Sequence, residues 1–192
     1  MKYITRELKG TYGYVKKQTY FEILKTVLLF AMAFGIFAIG YLTLGTKKSL
    51  WSVFAVLALL PASKSMVSMI MFLRYRSIDI ALYDKVTKAA GAVPLLFELI
   101  FTTSDKTYFV ESVGYSKGSL IAYSSRKDIS GPLNKHFNNV LANGGYKDIS
   151  VKVFDNLEDY LNRLAEMNSH LKETDANKNA DSIFTTLKAV SL

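Results

Sequence analysis

Apolar positions change their spacing along this chain, and each change marks a different kind of element. From Thr26 to Gly45, 20 residues run without a charge. A second uncharged run, Ser49 to Ser63, is interrupted by Lys64 and resumes from Ser65 to Leu73. At about 1.5 Å per residue the first run makes a helix of roughly 30 Å, the hydrocarbon thickness of a bilayer. Residues 26–73 therefore predict a hairpin of two transmembrane helices, preceded by a basic, aromatic arm over residues 1–25.

Beyond Arg74 the spacing becomes that of a folded domain in water. Ile78, Leu82 and Val86, with Ala89, recur every four residues and stop at Gly91 and Pro94, which predicts an amphipathic helix able to continue the second span without a break. Pro94 to Thr103 reads as a buried strand, and Lys106 to Tyr115 and Gly118 to Ser124 as two more, joined at a Ser116-Lys117 turn. Ser130 is placed to cap a helix with Pro132 in its first turn and Leu133, Phe137, Val140 and Leu141 on one face, ending at Gly144-Gly145. Asp148 to Phe154 alternates as a strand. Asp155 and Glu158 suggest a capping box for a helix carrying Leu157, Tyr160, Leu161, Leu164, Met167 and Leu171. After the polar stretch from Glu173 to Asn179 comes a short last helix with Ile183, Phe184, Leu187 and Val190. The expected architecture is a membrane hairpin followed by an α/β (α+β) domain over residues 74–192, of order α-β-β-β-α-β-α-α.

Charge sharpens this picture. The net charge of +8 divides as +4 over Met1 to Lys25, +5 over Thr26 to Arg76 and −1 over the rest. A basic excess confined to the membrane segments and their flanks suits anionic lipid headgroups better than nucleic acid. Six Lys/Arg precede the first span, and Arg74 and Arg76 follow the second. The expected topology is therefore a multi-pass protein of the cell (plasma or inner) membrane with both termini cytoplasmic. Lys47 and Lys48 in the short connection argue the other way and are outnumbered. The first run begins after about 25 polar or basic residues and is longer than a signal-peptide core, so a retained span is expected. The absence of cysteine excludes disulfides, thiolate metal sites and cysteine nucleophiles.

Several residues within these segments are candidates for function. Tyr3, Tyr12, Tyr14, Tyr20 and Phe21 among the arm's lysines suit a headgroup layer, as an interfacial helix or as an insertion flank; Gly10 and Gly13 argue against one long amphipathic helix. Pro61 is expected to kink the second span. Counted along that helix, Lys64 lies about nine residues, roughly 14 Å, from its cytoplasmic end. It is either an intramembrane group (pore-lining, headgroup-binding or paired with another subunit) or the mark of where the bilayer ends. Ala31 and Gly35 have the small-xxx-small spacing of helix packing.

Catalytic patterns are sparse. His136 and His170 each stand alone on a predicted helix, are expected to face solvent, and lack metal-ligand spacing. No G-x-S-x-G elbow or Walker loop occurs, and Gly114 to Gly118 reads as a hairpin turn. Glu98 is an anomaly inside an apolar strand, and a lysine or arginine on the adjacent strand is its expected partner unless it faces water from an edge. Over roughly Ile78 to Phe154, the order helix, three strands, helix, strand resembles the restriction-endonuclease-like PD-(D/E)xK family. That resemblance implies an acid on the second strand and acid-x-lysine on the third, holding a divalent metal. Glu111 occupies the second strand, but Ser119 to Tyr123 offers neither acid nor lysine, and Lys117 falls in the preceding turn. The resemblance thus implies a catalytically inactive relative.

These readings lead to an expectation of a non-enzymatic, membrane-tethered regulatory or scaffolding module that binds a protein partner or itself, with no cofactor or metal. Two alternatives stand beside it. One is an oligomeric channel, transporter subunit or membrane effector gated by the soluble domain, with Lys64 in the membrane path. The other is a membrane-bound metal-dependent nuclease that depends on Glu111, while Glu98, Glu111 and Lys117 together are the candidate polar site of the domain.

Overall fold

The computed structural model describes residues 8–44, 50–103, 106–126, 129–146, 148–171 and 179–192. The expected connection at Thr46 to Lys48 and most of the polar stretch before the last helix lie outside the described residues. The chain divides into two compact units, Val15–Arg76 and the combination of Met1–Tyr14 with Ser77–Leu192.

The first of these holds two long helices, α1 (Tyr14–Leu44) and α2 (Leu50–Leu73). Both are long and apolar enough to cross a membrane. Pro61 lies inside α2, which runs unbroken from Leu50 to Leu73. Buried positions follow a heptad-like seam: Glu22, Thr26, Ala33 and Gly40 on α1, and Ala55, Ala62, Ser65 and Phe72 on α2. Small side chains at such a seam let helix backbones approach closely. The Thr26 and Ser65 hydroxyls bond across it at 2.9 Å. Ala31 is exposed and Gly35 half-buried with open space around it, so the small residues of the seam are Ala33 and Gly40 instead.

The second unit is a sheet with helices on both faces. After α2 the chain is non-helical over residues 74–79, so the next helix is separate rather than a continuation. It is α3 (Ile80–Ala90), and β1 (Leu95–Thr102), β2 (Thr107–Ser116), β3 (Ser119–Tyr123), α4 (Ser130–Asn143), β4 (Ser150–Phe154), α5 (Leu157–Ser169) and α6 (Ala180–Val190) follow. The predicted element order is thus present. Strands lie in the order β1-β2-β3-β4, antiparallel through β3, with β4 parallel to β3. The parallel step requires a crossover, and α4 supplies it. In the β2–β3 turn both Lys117 (φ 45) and Gly118 (φ 76) are left-handed, the backbone that a two-residue hairpin loop needs to match strand twist.

Alternation places the two helical layers. Ser112 bonds to Tyr160 of α5, and Gly114 lies under Leu164, so the even-numbered positions of this part of β2 face α3 and α5. Val113 and Tyr115 join Leu133, Phe137 and Leu141 of α4 and Ile183 and Leu187 of α6 in the main core. Two predicted caps are displaced. Ile129, not Ser130, is the N-cap of α4; Ser130 is already helical, two residues ahead of Pro132, whose missing N–H is tolerated in the first turn. Asn156, not Asp155, caps α5, because its Oδ1 accepts from Glu158 N at 3.0 Å while Asp155 belongs to the bend after β4.

Candidate functional site

Glu98 marks a break in the ladder of β1. Its neighbours pair as Phe97↔Ser112 and Leu99↔Val110, whereas Glu98 stands opposite Glu111 without a ladder pairing. Its backbone is left-handed at φ 54, a conformation that costs a residue with a Cβ about 1–2 kcal/mol. The break re-phases the strands. Leu96, Leu99 and Phe101 all reach the main core, as do Val110 and Val113, although residues on one face of a regular strand are two apart rather than three.

That turn of the backbone carries a fully buried carboxylate to a set of donors outside the sheet. Glu98 Oε1 accepts from Gly13 N at 3.0 Å, from Ile78 N at 3.1 Å and from the Ser77 hydroxyl. Gly13 immediately precedes α1, and Ser77 follows the end of α2 by four residues. One oxygen therefore gathers the chain just before the hairpin and just after it. Two backbone amides and one hydroxyl donate to it, and β2, the strand paired with β1, carries no lysine or arginine to take the expected role. Further contacts fix the arm to the sheet. Phe97 N donates to Gly10 O at 2.9 Å, and Lys9 Nζ donates to Lys188 O at 2.8 Å and Ser191 O at 2.5 Å. The Tyr83 ring lies 4.6 Å from Tyr12 and 4.9 Å from Phe97, centroid to centroid. Because Leu192 N also bonds Ile100 O, the outer edge of β1 is covered by both ends of the described chain, which blunts it against edge-to-edge pairing.

Glu111 is held instead by Ser125, two residues beyond the end of β3. Its carboxylate accepts from Ser125 N at 3.0 Å and Ser125 Oγ at 2.5 Å. Burial pushes its pKa up, and the Ser125 donors pull it partly back. The phenol of Tyr123 is also raised, first by burial and then by the Glu111 charge. Deeper in this layer the Tyr160 hydroxyl is fully buried and shares a 2.9 Å bond with Ser112 Oγ; burial holds its pKa well above the usual phenol range. Both glutamates are thus tied to donors of the fold, and the structure does not bring them together with Lys117, which lies exposed in the β2–β3 turn.

The remaining candidates are dispersed. Pro61 and Lys64 are exposed on α2. His170 is exposed at the C-cap of α5. His136 departs from expectation: it is half-buried against Phe101 at 5.6 Å, and its Nε2, like Asn134 Oδ1, is buried without a hydrogen-bond partner among the described residues. Burial lowers its pKa. Sequence periodicity missed this because α4 packs a wider stripe than its four apolar positions indicate. Among the described residues no three His, Cys, Asp or Glu side chains converge as a metal site would require. No family model matches the chain, and comparison with characterised proteins and with solved structures finds no match either. The arrangement with the clearest design is therefore the Glu98 junction, whose chemistry is positioning.

Proposed function

We propose that this protein is a membrane-tethered interaction module. The hairpin crosses the bilayer twice, both chain ends lie on the cytoplasmic side, and the sheet domain is presented there to a protein partner or a second copy. The observation that carries the reading is where exposed apolar surface lies. Leu24, Val27, Leu28, Phe34, Leu42, Phe54, Leu57 and Leu60 on α1 and α2 are each more than half exposed. Among the described residues outside those helices, the exposed large apolar side chains are Tyr12, Ile80 and Val190 alone. A sheet domain that completes its own core beside helices that expose theirs suits a chain whose helices are solvated by lipid.

The hydrogen bonds of the two buried glutamates support a non-catalytic role. Glu98 and Glu111 are committed to Gly13, Ser77 and Ile78 and to Ser125, and β3 carries no acid or lysine beside them. The likeness to the PD-(D/E)xK family is in this reading one of element order, and the nuclease alternative loses its second carboxylate. The test is alkaline carbonate extraction and vesicle flotation of the full chain, with reporters fused at each end. Retention in the lipid fraction with both reporters cytoplasmic is expected. Release into the wash, or a reporter on the far side, overturns the reading.

A further inference from the structure

We propose that Lys64 and Lys25 together mark the membrane boundary and form a site for the phosphate of an anionic phospholipid headgroup; this rests on the membrane reading above. The inference begins with the hydrogen bond between Thr26 Oγ1 and Ser65 Oγ, 2.9 Å and buried. Thr26 lies eighteen residues before the end of α1, and Ser65 fifteen residues after the start of α2. Those are about 27 and 23 Å of helix, so the two hydroxyls are at similar distances from the connection and the helices run antiparallel. Each hydroxyl is preceded in sequence by a lysine. The helices being antiparallel, Lys25 lies one residue farther from the connection than Thr26 and Lys64 one residue nearer to it than Ser65, so the two lysines sit within about 3 Å of one level of the hairpin.

Counting along α2 alone had put Lys64 about 14 Å inside the bilayer. The cross-helix register moves it to the end of the uncharged segment of α1. From Thr26 to Leu44, the end of α1, 19 residues carry no charge, about 29 Å of helix and close to the hydrocarbon thickness. The corresponding stretch of α2, from Leu50 to Ser63, has 14 residues, about 21 Å. Lysines at the ends of a short span extend toward the headgroups. Placing the boundary instead at Arg74 would submerge Glu22 and Lys25 along with Lys64, and charges inside the bilayer are costly.

The two lysines are not equivalent. Lys25 Nζ is 3.2 Å from Glu22 Oε2, and Glu22 Oε1 also accepts from Gln18 Nε2 at 3.2 Å, so Lys25 is held on its own helix. Lys64 is exposed, and among the described residues no carboxylate pairs with it. Lys64 is the ammonium that receives the phosphate, and Lys25 adds a positioned charge at the same depth. This placement also removes Lys64 from the middle of any path through the bilayer.

The chain has no cysteine, so single-cysteine variants report one position each. In the register that pairs Thr26 with Ser65, Phe34 faces the level of Leu57, and both are more than half exposed. Lys64→Cys, Phe34→Cys and Leu57→Cys are spin-labelled in vesicles of phosphatidylcholine with phosphatidylglycerol, and collision with oxygen and with a water-soluble nickel chelate is measured. Oxygen-rich signals at 34 and 57 with a chelate-accessible signal at 64 are expected. A label at 64 as deep as that at 57 overturns the boundary and leaves the membrane reading standing; chelate access at all three overturns both. In detergent, phosphatidylglycerol is expected to raise the unfolding midpoint of the full chain, with an apparent affinity about fivefold weaker for Lys64→Gln, the ratio expected for one basic residue at a lipid surface. An unchanged affinity removes the headgroup site, and an equal response to inorganic phosphate assigns it to free phosphate instead of lipid.

Discussion

Glu98 combines three properties that a strand residue seldom combines: full burial, a left-handed backbone and a carboxylate oxygen shared among three donors. Removing that oxygen leaves the Gly13 and Ile78 amides without their acceptor, and an unsatisfied buried donor costs about 1–3 kcal/mol. Glu98→Ala is therefore expected to lose about 2–6 kcal/mol of stability for the two amides. Glu98→Gln keeps an acceptor oxygen in place and is expected to lose much less. Denaturation of the full chain in detergent checks the ordering; equal losses would mean that the oxygen's acceptance is not what matters. The two perturbed groups elsewhere make opposite pH predictions. Burial raises the Glu111 pKa, so its stabilising contribution is complete below the ordinary carboxylate range and is lost as pH rises through the raised value. Burial lowers the His136 pKa, so the folded state resists protonation and stability falls as pH drops below the ordinary imidazole range. Unfolding midpoints across pH should show Glu111→Gln gaining on the parent chain as pH rises through that window. His136→Phe should flatten the decline on the acid side of neutrality.

Helix α5 gives the plainest test at the scale of an element. Asn156 accepts from Glu158 N, and losing such a cap costs about 1 kcal/mol. Asn156→Ala should lower the unfolding free energy by about 1 kcal/mol, whereas Asp155→Ala should leave it nearly unchanged. The same pair shows what the chain discloses to a reader. Strands and helices were legible because their apolar periods are local, and the order through α6 follows from them. The cap position was ambiguous because Asp155 and Asn156 are adjacent and either can end a strand. Glu98 was visible as an anomaly in an apolar run, but its donors lie 85 and 20 residues away, and nothing in the type of residue foretells a left-handed backbone. Lys64 differs again: the sequence leaves it either inside the membrane or at its edge, and the register of α2 against α1, which bears on that choice, enters only with the Thr26–Ser65 contact.

At the scale of the whole molecule, the hairpin is an insertion into the sheet domain's chain. Residues before α1 and after α2 belong to one compact unit. Gly13 N and Ile78 N both bond the same oxygen, at 3.0 and 3.1 Å, so the two nitrogens are at most 6.1 Å apart. Two or three residues of flexible chain span such a gap, at about 3.3–3.6 Å per extended residue. A chain in which a short Gly-Ser linker replaces Val15–Arg76 is therefore expected to keep the arm against β1 and the Glu98 junction intact. Its core is self-contained, with few large apolar side chains exposed, so it should be water-soluble and unfold cooperatively by circular dichroism. Adding Glu98→Ala to that shortened chain should destabilise it as in the parent, because every donor to Glu98 named above lies within the retained residues. An aggregated or non-cooperative product would show that the domain depends on the hairpin for its fold, and the division into anchor and module would fail with it.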